Sequence, residues 1–534
     1  VRLLKTVAAL RCYLAQRRSI IKLLQPEEQL QGLNTSWYQT AVGLVPTMGA
    51  LHQGHLSLIQ RARQENATVI VSIFVNPLQF GPNEDYQRYP RTLEQDKLLC
   101  ERAGVDAIFA PTPDTIGIAE KSIQESKITQ VIPPSAMISG LCGSSRVGHF
   151  QGVSTIVTKL FNLVQPDRAY FGQKDSQQLA IIRRLVADLN LPVEIVACPT
   201  VRELSGLAIS SRNQYMTTTQ KQEAARLYRS LKKAEVAFEA GLRNAAELIA
   251  VVQKELAMVS SVFVEYIELV EPTTLMPLQT VKEEGMIAIA ARLGSTRLID
   301  NTILRDRQPI IAIDGPAGAG KSTVARQVAA NLGLVYLDTG AMYRAVTWLV
   351  QHEGIAIDDE CAIAELAEQC EIELRPSVDL KSPVRVWING NDVTQVIRTI
   401  EVTSQVSAIA SQSAVRQALV KQQQNWDKKG GLVAEGRDIG THVFPGAEVK
   451  IFLTASVSER ARRRQQDFKK QGQPEVSLEQ LERDIADRDW KDSTRNVSPL
   501  KKAPDALEIQ SDGLSVSEVT AKIVNYYEQR LSQF

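Results

Sequence analysis

The chain has 534 residues, more than one hydrophobic core can serve, and domains of about 100–200 residues predict three or four of them. Basic and acidic residues nearly cancel, 61 against 60, so a net charge of +1 offers no global field to nucleic acid or to an anionic membrane. The hydrophobic fraction of 44% is that of ordinary globular domains, and no apolar run approaches the ~18 residues of a spanning helix.

The first ten residues read as a strand running into a helix. Arg11 breaks their apolar stretch too early for a signal peptide. Ala41 to Val45 reads as a buried strand, Gly49 to Gly54 as a turn, Leu56 to Gln64 as a helix and Val69 to Val75 as a second strand. That unit predicts a parallel, doubly wound sheet. The alternation continues with a helix over 93–103, a strand over 107–110, a helix over 153–163, a strand over 168–171, a helix over 175–189 and a strand over 193–197. After Arg212 the texture changes. One long charged helix is predicted over 217–240, started by a capping box at Thr217…Gln220 or Thr219…Gln222, then strands over 262–270 and 286–291. Residues 303–308 form a short polar junction, too short for a long tether. Beyond it come a strand over 309–314, a Gly-rich loop, a helix over 321–332 and a short strand over 334–337. A hairpin is predicted around Asn389-Gly390, and core strands over 432–434 and 449–453. Cys12, Cys100, Cys142, Cys198, Cys361 and Cys370 form no Cys-x-x-Cys pair, which predicts reduced thiols in a cytoplasmic protein and argues against zinc.

Two unrelated ATP-handling signatures stand on this frame. The first is Pro46-Thr-Met48-Gly49-Ala-Leu-His52-Gln-Gly-His55, where a turn enters a helix. His52 and His55 are three apart and share a face. A helix start offers unpaired N–H groups to phosphates, and two imidazoles there can serve phosphoryl oxygens as charge develops. Five further segments narrow the chemistry: Phe74-Val-Asn76-Pro-Leu-Gln79-Phe-Gly, Tyr89-Pro-Arg-Thr-Leu-Glu-Gln-Asp96, Arg146-Val-Gly-His149-Phe-Gln-Gly152-Val, Tyr170-Phe-Gly172-Gln173-Lys174-Asp175-Ser-Gln-Gln178, and Val201-Arg-Glu-Leu-Ser-Gly-Leu-Ala-Ile209-Ser210-Ser211-Arg212-Asn213. Together they resemble pantoate–β-alanine ligase over about residues 1–301.

That resemblance implies a Rossmann-like adenylating domain over 1–212 and a small α/β domain over 213–302. It implies adenylation of pantoate by ATP, then attack of the β-alanine amine on the pantoyl-adenylate. ATP contacts would come from Met48, Gly49, His52, His55, Gly172, Gln173, Lys174, Asp175, Val201, Ile209, Ser210, Ser211 and Arg212. His55 would be the proton donor, with Lys174 and Arg212 as the phosphate cations. Gln79, Gln178 and Asn76 would hold pantoate and β-alanine. Magnesium is implied, with Asp96 as a position that could contact it, although Asp96 also reads as a solvated charge on its helix. Asp175 and Gln178 also have capping-box spacing, and Ser210 and Ser211 could form a cap and turn. The family's proline and aspartate are replaced here by Val147 and Ser205, and residues 116–132 depart from its pattern. Ser205 is expected to remove a carboxylate near the nucleotide. An alternative reading therefore makes this half a nucleotide-binding scaffold without turnover. The family also leaves room for a homodimer through this part.

The second signature is a P-loop, Gly315-Pro316-Ala317-Gly318-Ala319-Gly320-Lys321-Ser322-Thr323, between a strand and a helix. Its N–H groups cradle phosphates, Lys321 reaches their oxygens and Ser322 suits magnesium. With Asp338-Thr339-Gly-Ala-Met-Tyr-Arg344, Glu435-Gly-Arg437-Asp438-Ile-Gly and Arg488-Asp-Trp-Lys-Asp492-Ser-Thr-Arg495, residues 309–534 resemble cytidylate kinase. The resemblance implies a nucleoside monophosphate kinase fold with an acceptor-binding insertion about 372–397 and a lid about 460–498, transferring phosphate from ATP to CMP or dCMP. Thr339, Arg344, Arg416, Arg437 and Asp438 match acceptor positions, and Arg488, Asp492 and Arg495 match lid positions. The basic run from Arg460 to Arg464 reads as a solvated helix face. Fold class is thus α/β throughout, ATP is a co-substrate of both parts, and neither a nucleic acid nor a membrane is expected as partner.

Overall fold

The computed structural model describes residues 1–23, 41–82, 84–118, 128–375, 384–427, 429–470, 476–494 and 499–531. They divide into two compact units, Val1–Asp306 and Arg307–Phe534.

The first unit is built on a six-stranded sheet of β1 (Arg2–Leu4), β2 (Val42–Thr47), β3 (Thr68–Ile73), β4 (Ala107–Phe109), β5 (Arg168–Gly172) and β6 (Glu194–Cys198). Its order is β1-β4-β3-β2-β5-β6, with parallel neighbours throughout. Period-two alternation sends Leu44, Ile70 and Phe109 into one core and Val45, Val71 and Ile108 into the other. Helices cover both faces, which is why these strands read as continuous apolar runs. From β2 the order runs outward in both directions, to β3 on one side and to β5 on the other. In an open parallel sheet, ligands bind beyond the carboxyl ends of the strands at such a switch point.

A further hydrophobic core follows within this unit. Its antiparallel sheet is β7 (Val262–Val270), β8 (Glu284–Leu293) and β9 (Thr296–Arg305), packed by the helices Arg226–Glu239 and Ala245–Leu256. The single helix expected over 217–240 is two, Thr218–Ala224 and Arg226–Glu239, meeting at Ala225. The first is started by the capping box of Thr217 and Gln220. The expected junction over 303–308 is mostly strand. β9 pairs with β8 out to Arg305, and the next strand begins at Gln308. Alternation in β9 is broken by Asp300, Asn301 and Thr302, so its strand character comes from β8 as a partner.

The second unit holds a five-stranded parallel sheet of β10 (Gln308–Asp314), β11 (Val335–Asp338), β15 (Gly430–Gly436), β16 (Val449–Thr454) and β17 (Leu507–Gln510), in the order β11-β15-β10-β16-β17. Ile310 and Ala312 face one core, Ile311 and Ile313 the other. β12 (Ile372–Arg375), β13 (Arg385–Ile388) and β14 (Asn391–Asp392) form a separate antiparallel sheet. The β13–β14 turn has positive φ at both Asn389 and Gly390, the type I′ geometry that this dipeptide favours. Helices Val457–Lys470 and Leu478–Thr494 follow β16 in the stretch expected as a lid.

Candidate active sites

A cavity of about 240 Å³ opens at the switch point of the first sheet, between the ends of β2 and β5. Met48, His52, His55, Asn76, Gln79, Gly172, Lys174, Asp175, Gln178, Val201, Ile209, Ser210, Ser211 and Arg212 all line it. Two expected residues do not: Gly49 is buried inside the loop, and Gln173 faces solvent while its carbonyl accepts a bond from Asn301. The cavity instead adds Tyr89, Arg146 and His149.

The histidine pair is stacked, with ring centroids 4.0 Å apart. Burial, then the Lys174 charge, lowers His52 to about 4. Burial and the neighbouring His52 lower His55 to about 3. Both imidazoles are therefore neutral at pH 7, each with one N–H to offer. Burial also works against the Asp175 carboxyl, but Lys174 and Arg212 hold it below the usual range.

Asp96 is a correction. It is 1% exposed rather than solvated, and its carboxylate accepts the N–H groups of Ala50 at 3.0 Å and Leu51 at 2.8 Å. Thr92 donates to it as well. It braces the histidine loop, where Ala50 is held at φ 51°, and its oxygens do not fit a metal ligand.

Asn76 is 1% exposed and spends its amide on Gln79 and on the Gly152 carbonyl. It positions Gln79, whose own amide lies 3.1 Å from the Met48 sulfur. Gly152 explains the contact: a Cβ there would stand 2.2 Å from the Leu78 carbonyl oxygen. Asp175 caps the helix Ser176–Asp188 without a side-chain bond, so the capping-box pairing with Gln178 is not made. Ser210 accepts the Arg212 N–H as a cap, and Ser211 bonds Tyr89.

A second layer was not singled out from sequence. Arg212 pairs with Asp85 through two bonds of 2.9 Å, and Arg146 pairs with Glu84. Arg146 also donates to Nε2 of His149, whose Nδ1–H donates to the Gln79 carbonyl at 2.8 Å. Those partners fix a neutral tautomer, and burial lowers His149 to about 3. The adjacent Glu84-Asp85 dipeptide opposite two arginines was the available signal. Two departures from the family pattern, Val147 and Ser205, lie outside the cavity. Val147 is 91% exposed, and Ser205 is exposed and lines no part of the cavity, so it removes no carboxylate there. Of the atypical stretch 116–132, residues 119–127 lie outside the described residues.

In the second unit, the P-loop leaves β10 at Gly315, where a Cβ would meet the Leu453 carbonyl oxygen at 1.9 Å. Lys321 folds back on the loop, donating to the carbonyls of Gly315 at 2.7 Å and Pro316 at 2.8 Å. Burial and the Arg437 charge push its ammonium pKa down. At the end of β15, Glu435 is buried, and burial with the Asp338 charge raises its pKa, while the Ser322 and Tyr336 hydroxyls stabilise its charged form. Thr339 donates to the Glu435 carbonyl at 2.7 Å, and Arg344 pairs with Asp338 at 3.0 Å. Arg416, 2% exposed, pairs with Asp438 and lies 5.2 Å from the Tyr343 ring. Arg437 pairs with Asp492 of the helix Leu478–Thr494 at 2.7 Å, and burial beside Arg437 lowers Arg488. Arg495 lies outside the described residues.

The basic run is a second correction. Arg460 is 3% exposed, donates to the Ala317 carbonyl of the P-loop at 3.1 Å and pairs with Asp489. Arg463 reaches the Ser511 carbonyl at 2.8 Å. Arg462, pairing with Glu459, remains outward. The i, i+3 spacing of Arg460 and Arg463 was the legible sign of an inward face.

The sites define an ATP-using adenylating ligase and a P-loop nucleotide kinase on one chain. A family profile described as Pantoate-beta-alanine ligase matches residues 22–303, and one described as Cytidylate kinase matches residues 311–529. Bifunctional pantoate ligase/cytidylate kinases of Trichormus variabilis and of a Nostoc species are each 79% identical to this chain over 534 residues, covering all of both chains. A pantothenate synthetase structure from Thermus thermophilus is 43% identical, covering 57% of this chain and 99% of its own, with a TM-score of 0.49. The chain belongs to the bifunctional pantoate ligase/cytidylate kinase family and carries both activities.

Proposed function

We propose that the first cavity forms and consumes a pantoyl-adenylate. A pantoate carboxylate oxygen attacks the α-phosphorus of ATP, and the bond to the β-phosphate oxygen breaks, releasing pyrophosphate. The β-alanine amine then attacks the acyl carbon, AMP leaves, and the amine loses a proton. His52 and His55 offer N–H bonds to the phosphates, and His55 becomes a proton donor only as the triphosphate charge raises its pKa. Lys174 and Arg212 neutralise the phosphates, with the triphosphate displacing Asp85 from Arg212. Gln79 and Gln178 hold pantoate, and His149 with Arg146 keeps the Gln79 loop in place. The observation that carries this reading is one cavity holding the stacked histidines, both cations and both glutamines.

In the kinase, the geometry supports Arg416, Arg437 and Asp438 as contacts to CMP or dCMP, with Thr339 and Arg344 beside them and Arg488 and Asp492 arriving from the lid. Asp438 next to an arginine suits the exocyclic amine of cytosine. The Ser322 hydroxyl beside the buried Glu435 carboxylate is a hard-oxygen set that fits magnesium together with ATP phosphates. When bound, the ion would neutralise phosphate charge. Lys321 would leave the Gly315 and Pro316 carbonyls to meet the phosphates.

We also propose a cytoplasmic setting, supported by six free cysteines, of which burial raises Cys100 and Cys198 to about 12 and so makes them inert. No helix among the described residues is long and apolar enough to cross a membrane. A homodimer through the ligase part stays a proposal resting on the family.

The test is His55→Ala in the full chain, supplied with ATP, magnesium, pantoate and β-alanine, with products resolved by mass. Pantothenate formation is expected to fall by about 10²-fold or more while CMP phosphorylation is unchanged. An unchanged pantothenate rate would remove His55 from the chemistry.

A further inference from the structure

We propose that Asp314 is a positioning residue for phosphoryl transfer, tying the P-loop to the segment that reads the acceptor nucleotide. It is the last residue of β10, directly before Gly315. Its side chain is buried, 4% exposed, and its two oxygens accept the N–H groups of Ile439 and Gly440, each at 2.7 Å. These are the first two residues after Asp438, which pairs with Arg416. One carboxylate thus ends the strand that delivers the ATP loop and anchors the arm that carries Asp438.

The local backbone is shaped around that carboxylate. Ile439–Val443 is a turn of π-helix, a rare geometry that concentrates at functional sites. The N–H groups of His442 and Val443 both return to the Asp438 carbonyl, at 2.8 and 3.1 Å. Gly440 leaves the space needed: a Cβ there would stand 3.3 Å from Asp314 Oδ2 and 3.2 Å from the Lys450 chain. Strand pairing alone stops short of Asp438, because the register of β10 and β15 ends with Asp314 opposite Gly436. Beyond that pair, the two charge-assisted bonds of Asp314 set where Asp438 sits relative to the P-loop. In-line transfer requires both nucleotides in register, and an error of about 1 Å costs roughly 10²-fold.

The inference rests on reading Arg416 and Asp438 as acceptor contacts. In the full chain, Asp314→Asn turns an amide N–H against one of the two backbone donors. The expected result is a KM for CMP raised about tenfold or more with a lower kcat, a KM for ATP changed by less than about threefold, and an unchanged ligase rate. A CMP KM within about twofold of the parent, or ATP and CMP KM values rising together, overturns the role. Asp438→Asn, assayed with CMP against UMP, tests the underlying reading separately: an unchanged preference removes that reading, whatever Asp314→Asn does. Should Asp314→Asn unfold the kinase unit, hydrogen exchange in the parent protein decides. A non-hydrolysable ATP analogue alone is expected to slow exchange in the peptide holding Ile439 and Gly440, and no change there overturns the coupling.

Discussion

At the residue scale, both sites depend on groups whose charge is controlled by burial. His52, His55 and His149 lie far below the ordinary imidazole value of about 6.5. The unfolded chain takes up these protons near pH 6.5, whereas the folded chain resists them until about pH 4 to 3. Between those values the unfolded state binds more protons, so stability is full above pH 6.5 and is lost as pH falls. Thermal unfolding of the ligase unit is expected to shift downward from pH 7 to pH 4.5. His149→Gln should flatten that slope relative to the parent, and an identical slope would contradict the neutral tautomer. The histidine pair was legible in the sequence because two of the chain's five histidines frame one turn. His149 drew no role from its motif, because its partners Arg146 and the Gln79 carbonyl come from two different segments.

At the element scale, the Gln79 side of the cavity, proposed to hold pantoate, is set by how closely the helix His149–Val164 approaches the turn of Pro77–Gln79. Gly152 permits that approach, and the turn answers by placing Asn76 on the Gly152 carbonyl. Gly152→Ala would drive a Cβ against the Leu78 backbone carbonyl. A loss of about 1–3 kcal/mol of stability is expected from such overpacking, with a raised KM for pantoate as Gln79 moves. Denaturant unfolding and ligase kinetics check both, and a variant with parent stability would show that the helix shifts without strain. The strands of the parallel sheets could be read directly, since burial on both faces makes each one an apolar run. β9 could not be read, because Asp300, Asn301 and Thr302 interrupt its apolar pattern, and only pairing with Ile289, Ala288 and Ile287 of β8 makes them strand.

At the scale of the whole molecule, each hydrophobic cluster draws its residues from one of the two units. Residues 1–306 and 307–534, expressed separately, are therefore each expected to fold with a cooperative transition. A mixture of the two should give pantothenate and phosphorylated CMP at rates within about twofold of the full chain. Clearly slower rates from the mixture would show that the fusion supports catalysis, as would failure of either unit to fold alone.

The chemical identity of both halves was written in short ordered segments. A P-loop, a His-x-Gly-His turn and their companion motifs act through backbone N–H groups and adjacent side chains, and local sequence specifies those. Tertiary structure alone decided the rest. Asp96 became a brace for the histidine loop, Asp85 took Arg212, Arg460 turned in toward the P-loop, and Asp314 joined it to the Asp438 arm. Each of these contacts joins residues 45 to 143 positions apart, and which charges share a buried space depends on how strands and helices pack.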